Sequence, residues 1–128
     1  MTAHEQPVLY AADLRGCETL DALDGIGISA LFAAALRGAG ATIVEELQHA
    51  YTSAGLTCVL VLSESHAVLH TWPETGTVNV DIFSCSSRLR SLAAIDEIGR
   101  LFGARQISVQ EIPRANGHTP SPAAQPGA

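Results

Sequence analysis

Residues 57–62 read Thr-Cys-Val-Leu-Val-Leu, a continuous apolar run that is followed at once by the polar Ser63-Glu64-Ser65-His66. A run of this length with β-branched residues is typical of a strand rather than of a helix. Because the run is almost purely apolar, it predicts a central strand that is buried on both faces. The polar residues that follow mark the point where the chain leaves that strand.

The rest of the chain divides into similar short elements. Apolar or alternating runs predict further strands at residues 8–13, 42–47, 67–71, 77–83 and 106–112. Apolar residues at helical spacing predict amphipathic helices at residues 28–39 and 92–102. The order β-α-β-β-β-β-α-β predicts an α+β fold, a two-layer sandwich in which two helices cover one face of a mainly antiparallel sheet. We expect one domain at residues 1–113 and a disordered tail, rich in Ala, Pro, Gly and Ser, at residues 114–128.

The composition excludes several classes of function. Seven basic residues against thirteen acidic ones give a formal net charge of −6, which disfavours a nucleic acid partner. All seven basic residues are arginine, so the chain can neither hold pyridoxal phosphate as a Schiff base nor supply a P-loop lysine. No apolar run approaches the roughly 20 residues that span a bilayer, and the first residues lack the pattern of a secretion signal. We therefore expect a cytoplasmic protein without a membrane partner.

The reactive side chains cluster directly after the most apolar strand. His66 and His70 are four residues apart and share one face of a strand, so together with Cys85 they are a candidate zinc ligand set. Ser65 beside a histidine is a candidate hydrolase nucleophile, although no Gly-x-Ser-x-Gly elbow surrounds it. On residue types alone the preferred interpretation is structural, with Trp72 in the core and the cysteine as a small apolar filler.

The motifs in this part of the chain resemble those of one known family. Glu64-Ser65-His66 precedes His70-Thr71-Trp72-Pro73-Glu74, and Asp81-Ile82-Phe83-Ser84-Cys85 follows. Together with Gly-Ala-Gly-Ala-Thr-Ile-Val at residues 38–44 and with His49, they are similar to the motifs of the short prokaryotic S-adenosylmethionine decarboxylases. The resemblance extends over residues 8–113, and its Glu-Ser-His and His-Thr-Trp-Pro-Glu pair is highly specific.

The resemblance implies an enzyme that makes its own electrophile, which fits the absence of lysine. Family members cut their chain before the serine of Glu-Ser-His, which implies that the Ser65 hydroxyl attacks the Glu64 carbonyl. Elimination and loss of ammonia then leave a covalent pyruvoyl group at position 65, in place of pyridoxal phosphate. The implied reaction is decarboxylation of S-adenosylmethionine, which gives the aminopropyl donor of spermidine biosynthesis.

The resemblance also implies roles for individual side chains, and it implies no metal. His70 assists the elimination that completes processing, and Cys85 donates a proton to the decarboxylated carbon. Glu74 holds the ribose hydroxyls, while Tyr51 stacks on adenine or approaches the sulfonium. Trp72 belongs to the same substrate-binding set.

Two departures from the family pattern stand out. Thr57 replaces a serine, eight residues before the pyruvoyl serine, that stabilises the processing intermediate; it keeps the hydroxyl and adds a methyl group. Tyr51 replaces a phenylalanine, and Ser53-Ala54-Gly55 replaces the usual Pro-Gln-Gly. The second set of changes borders the nucleoside pocket that the resemblance implies.

Two other functions are compatible with the sequence. The first is a pyruvoyl-dependent decarboxylase that acts on ornithine or arginine, and the second is an unprocessed, non-catalytic subunit that partners an active homologue. For the leading function, the resemblance implies a symmetric homodimer with sites at its interface. Glu74 and Tyr51 then serve the pyruvoyl group of the partner chain.

Overall fold

The computed structural model describes residues 6–117, within which the chain forms six strands and two α-helices. In chain order these are β1 (Val8–Arg15), α1 (Gly25–Gly38), β2 (Ile43–Ala50), β3 (Leu56–Leu62), β4 (Ser65–Trp72), β5 (Thr77–Ser84), α2 (Ser91–Phe102) and β6 (Gln106–Pro113). The predicted order of elements is confirmed. The boundaries move by a few residues because backbone pairing continues past the last apolar position of a strand.

The six strands form one sheet in the order β2-β3-β4-β5-β1-β6, and every neighbouring pair is antiparallel. Strands β2 to β5 form a meander, in which Ser63 and Glu64 alone connect β3 to β4. The antiparallel pairing and the two helices confirm the predicted two-layer α+β fold.

The core lies between the helices and one face of the sheet. Strand residues at alternating positions supply half of it, and the buried faces of α1 and α2 supply the other half. The largest fully buried side chains include Leu14, Leu60, Leu69, Ile82, Phe32, Leu36, Ile95, Ile98 and Phe102. Burying one such side chain stabilises the fold by about 1.5–3 kcal/mol, so this single layer of contacts fixes the sheet beneath the helices.

The prediction that residues 57–62 are buried on both faces is wrong. Cys58, Leu60 and Leu62 are buried beneath the helices, whereas the side chains between them are half-buried or exposed, and Val61 is 42% exposed. Helices cover only one face of this sheet, and β3 lies next to the edge strand β2 rather than at the centre. We call the uncovered face, which carries Thr57, Val61 and their neighbours at alternate positions, the open face.

Two further expectations concern helices and termini. Neither helix within residues 6–117 is long and apolar enough to cross a bilayer. The predicted tail begins at Arg114, whose backbone N–H donates to the Pro7 carbonyl at 2.8 Å and whose guanidinium lies 5.9 Å from the centre of the Phe83 ring. Residues 118–128 lie outside the described residues.

The loop after α1 and the loop after β5 meet at Gly40. Gly40 has φ of +105°, and a Cβ at this position would lie 2.5 Å from the Arg88 carbonyl oxygen. Next to it, the Arg90 N–H donates to the Ala39 carbonyl at 2.9 Å. Only glycine accommodates both the positive φ and the nearby Arg88 carbonyl without strain. Gly40 therefore allows the two loops to approach each other this closely.

Gly40→Ala is expected to destabilise the protein by at least about 2 kcal/mol, because the new methyl group clashes with backbone and the residue is held at positive φ. Urea unfolding measures this loss. Gly38→Ala is the matched control, since a Cβ at Gly38 has nothing within 4 Å. In a helix this change is expected to be neutral or slightly stabilising. Equal effects of the two variants would contradict the role given to Gly40.

Candidate active site

The first group of predicted site residues lies at the turn between β3 and β4. The two-residue connection places Ser65 at the first position of β4, where it pairs with Ser84 near the end of β5. Cys85 follows directly, and its N–H and Sγ both donate to the Glu64 carbonyl oxygen, at 3.3 and 3.5 Å. We call Ser63, Glu64, Ser65 and Cys85 the hairpin end.

The Glu64 side chain is buried, although it is a carboxylate in a turn. It is 6% exposed, and Oε1 accepts a hydrogen bond from the Thr42 N–H at 3.1 Å. The Ser63 hydroxyl donates to Oε2 at 2.9 Å, and the Ser63 N–H donates to the Thr42 carbonyl at 2.9 Å. Two hydrogen bonds offset the cost of burying the carboxylate. Both residues of the turn, Ser63 and Glu64, are therefore hydrogen-bonded to Thr42, directly before β2.

The second group of predicted residues lies at the other end of β4, on the open face. Thr57 and His70 are directly opposed across β3 and β4, and Thr57 Oγ1 lies 2.7 Å from His70 Nδ1. The Tyr51 hydroxyl lies 3.0 Å from the same threonine oxygen. The His70 ring contacts the rings of Trp72 and Tyr51, with centroid distances of 4.4 and 5.6 Å. These residues and Glu74 are called the aromatic end.

The aromatic end forms an open cleft of about 540 Å³, lined by Tyr51, Ser53, Ala54, His70, Trp72 and Glu74. This volume lies in the range of small-molecule sites. Trp72 is 45% exposed, so the interpretation that it fills the core is wrong. Its ring is instead a wall of the cleft, and the cleft combines aromatic surface with one carboxylate.

Two polar residues that the sequence did not single out hold this wall in place. The Trp72 indole N–H donates to Asn79 Oδ1 at 2.6 Å, and the Asn79 amide donates to Asp13 Oδ1 at 2.8 Å. Nearby on β5, desolvation and the charge of Asp13 raise the pKa of Asp81, while His66 opposes that rise. The sequence does contain a signal for Asn79. In β5, polar Asn79 and Asp81 alternate with apolar residues, which places both on the open face.

The remaining histidine and cysteines are placed elsewhere. His66 stacks on Phe83 with a centroid distance of 5.3 Å. Within residues 6–117, no three His, Cys, Asp or Glu side chains are grouped as a metal site, so the candidate set of His66, His70 and Cys85 is not assembled. Cys17 and Cys58 are buried, and burial raises the pKa of both thiols. Raised pKa values make these two thiols poor nucleophiles.

The hairpin end and the aromatic end of one chain are too far apart to act together. Ser65 and His70 are five residues apart on the same strand, which corresponds to about 16 Å between their backbones. The His70 ring is held by Thr57, beside it on β3. One chain therefore carries two separate halves of the predicted site.

Comparison with known proteins assigns the chain to a family. The family model for S-adenosylmethionine decarboxylase matches residues 9–115. The chain is similar to S-adenosylmethionine decarboxylase proenzymes of Methanococcus maripaludis, with 36% identity over 80% of this chain and 84% of the relative, and of Clostridium tetani, with 32% identity over 80% and 82%.

A solved structure gives the same result. The adenosylmethionine decarboxylase from Aquifex aeolicus superposes with a TM-score of 0.74 and 29% identity, covering 84% of this chain and 88% of that one. The family model spans both the hairpin end and the aromatic end, and several relatives exceed 30% identity over most of their length. The chain belongs to the S-adenosylmethionine decarboxylase family.

Proposed function

We propose that this protein is a self-processing S-adenosylmethionine decarboxylase whose pyruvoyl group forms from Ser65. The observation that carries the proposal is the pair of donors from Cys85, its N–H and its thiol, both directed at the Glu64 carbonyl oxygen. Attack on a carbonyl moves negative charge onto its oxygen, and donors already directed at that oxygen stabilise the charge. This is the carbonyl that precedes Ser65.

The cut proceeds by transfer of the Glu64 acyl group from nitrogen to oxygen. The Ser65 Oγ bonds to the Glu64 carbonyl carbon, the C–N bond breaks, and the hydroxyl proton passes to the nitrogen, which gives an ester. Removal of the Ser65 Cα proton then breaks the Cβ–O bond and releases Glu64 as a carboxylate. Tautomerisation and addition of water expel ammonia from residue 65.

The residues present fit a pyruvoyl group at position 65. When formed, its ketone supplies the electron sink for loss of carbon dioxide, a role that pyridoxal phosphate cannot take in a chain without lysine. Cys85 lies beside residue 65, and its thiol donates a hydrogen bond to the Glu64 carbonyl oxygen, so its sulfur carries a proton. We assign Cys85 as the proton donor to the reacting carbon.

The aromatic end is proposed to hold the nucleoside part of the substrate. Aromatic rings attract a sulfonium cation and stack on adenine, and the cleft carries two such rings, Tyr51 and Trp72, beside His70. The Glu74 carboxylate at the same cleft accepts hydrogen bonds from ribose hydroxyls. The Thr57 contact holds His70 Nδ1, so proton transfer by this ring uses Nε2.

The two halves of the site are proposed to come together in a homodimer. Two open faces that pack around a twofold axis bring the aromatic end of one chain to the hairpin end of its partner. Exposed apolar side chains support this packing: Leu47 is 68% exposed, Val61 42% and Trp72 45%. His70 and Thr57 then process the Ser65 of the other chain, and Glu74 and Tyr51 bind its substrate.

The setting proposed for this enzyme is the cytoplasm. Cys17, Cys58 and Cys85 are free thiols, which supports a reducing compartment. We assign the activity to residues 1–113, and we propose S-adenosylmethionine and a second copy of the chain as its partners.

Purified protein is expected to consist of two fragments that meet between Glu64 and Ser65, the later one lighter by one ammonia than a simple serine-terminated peptide. Intact mass spectrometry is the measurement, because the two fragments have equal numbers of residues. Ser65→Ala is expected to remain one chain, since no hydroxyl attacks Glu64. A wild-type chain that stays intact after long incubation would refute the proposed function.

Processed protein is expected to release carbon dioxide from S-adenosylmethionine. Glu74→Gln is expected to raise KM about tenfold with little change in kcat, because a charge-assisted hydrogen bond becomes a neutral one. Glu97→Gln, on the outer surface of α2 in an ion pair with Arg100, is the control and should leave KM unchanged. Release of carbon dioxide from ornithine or arginine alone would reassign the substrate.

Cleavage and activity are expected to depend on two chains. His70→Ala and Ser65→Ala chains should each stay intact alone, whereas in mixed dimers the His70→Ala chain should be cut, because the Ser65→Ala chain supplies an intact aromatic end. Mass spectrometry follows the cut. For decarboxylase activity, the matched control is Ser65→Ala mixed with Cys85→Ala. Both changes affect the hairpin end, so no mixed dimer contains a complete active site. Full activity of a sedimenting monomer would overturn the dimer.

A further inference from the structure

The backbone at Ser65 has a conformation that non-glycine residues rarely adopt. Its φ is +149°, and within residues 6–117 the only other non-glycine residue with positive φ is Ala54. Such a conformation is energetically unfavourable and persists only where surrounding contacts hold it. The strained residue is the one whose hydroxyl attacks the preceding carbonyl in the proposed function.

This conformation is the one that the attack requires. Ring closure joins Ser65 N, Cα, Cβ and Oγ to the Glu64 carbonyl carbon, and a five-membered ring needs a small torsion about its N–Cα bond. Around that bond, Cβ and the residue's own carbonyl carbon are about 120° apart, so φ of +149° turns Cβ to within about 30° of eclipsing the Glu64 carbonyl carbon. At the negative φ of an ordinary strand, Cβ points away from that carbon and the ring cannot close.

The contacts that hold this conformation lie on both sides of the peptide bond. Before it, the buried Glu64 carboxylate is fixed by the Thr42 N–H, and the Ser63 N–H is paired with the Thr42 carbonyl. After it, Ser65 is paired with Ser84 in the sheet. Between them, the Cys85 donors fix the Glu64 carbonyl oxygen. The residues on both sides of Ser65 are therefore held in place, so the strained conformation cannot relax by a movement of either neighbour.

We propose that the buried Glu64 side chain is a positioning residue for self-cleavage: anchored to Thr42, it holds Ser65 in the eclipsed backbone conformation from which its hydroxyl reaches the Glu64 carbonyl. The proposal rests on self-cleavage at this bond. It assigns to the Glu64 carboxylate a role before the cut, in forming the ester, that is separate from the roles of His70 and Cys85.

The strain is tested on chains that cannot cleave. Glycine in a strand is normally less stable than alanine, but at positive φ the order reverses. Ser65→Gly is therefore expected to melt about 3–8 °C above Ser65→Ala. His66 is the control position, because its φ is not positive. In the Ser65→Ala background, His66→Gly should melt below His66→Ala, which is the normal order. Glycine melting below alanine at both positions would refute the strain.

The anchor is tested by combining these variants. Adding Glu64→Ala to both Ser65 variants is expected to reduce the advantage of glycine over alanine, because the turn relaxes once it is released from Thr42. An undiminished advantage would show that the strain does not depend on Glu64. These melting measurements also verify that chains carrying Glu64→Ala fold.

The effect on cleavage is tested in chains that keep Ser65. Glu64→Ala is expected to slow the cut about 10- to 100-fold, whereas Glu64→Gln, whose side-chain oxygen still accepts from Thr42, stays within about threefold of wild type. Ser63→Ala is the matched control, because it removes one partner of the carboxylate and leaves the anchor in place. Cleavage of Glu64→Ala at the wild-type rate would overturn the proposal.

The step affected is identified with hydroxylamine, which cleaves esters. Because Glu64→Ala is expected to form little ester, hydroxylamine should not restore its cut, whereas His70→Ala, blocked after ester formation, should be cut. Accumulation of ester in Glu64→Ala would place Glu64 in the elimination step and refute its positioning role. If wild-type protein is never cut, the proposed function fails instead, and the melting comparison still decides whether Ser65 is strained.

Discussion

The register between β3 and β4 is the constraint on which both halves of the site depend. The two-residue turn of Ser63 and Glu64 sets this register, and it places Thr57 opposite His70. Side chains alternate between faces, so a shift by one residue would turn His70 and Trp72 into the core and expose Leu69. The same turn carries the peptide bond that is proposed to be cut. One short connection therefore determines both the packing of the core and the position of the bond that is proposed to be cut.

The helices cover only one face of the sheet, and this one-sided packing connects fold to function. The covered face has a complete core with many side chains at zero exposure. The open face has a different composition, with aromatic residues, histidines and the linked chain of Trp72, Asn79 and Asp13. Covering polar side chains in the middle of a sheet with a second layer costs free energy unless they are hydrogen-bonded. Here Trp72, Asn79 and Asp13 already form these hydrogen bonds within one chain.

The hairpin end concentrates backbone strain at the bond that is proposed to be cut. Most of the chain follows ordinary strand or helix geometry, and the stability gained there can support one residue at φ of +149°. The close approach of Gly40 to the Arg88 carbonyl brings the loop that contains Thr42 next to the loop that begins at Cys85. Thr42 in the first loop contacts the Glu64 side chain, and Cys85 in the second contacts the Glu64 carbonyl oxygen, so no single element holds the bond that is proposed to be cut.

The sequence by itself determined the order of elements, the fold class and the family, because alternating and helical periodicity and the Glu-Ser-His and His-Thr-Trp-Pro-Glu motifs are local patterns. It also identified the side chains of both ends. It could not determine that β3 has one uncovered face, since an apolar run records hydrophobicity and not what covers it. Nor could it determine that Ser65 and His70 are about 16 Å apart, that Glu64 is anchored to Thr42, or that Asn79 supports Trp72. Those contacts join residues that are distant in sequence or lie across strands, and only the tertiary pairing of the sheet decides which of them meet.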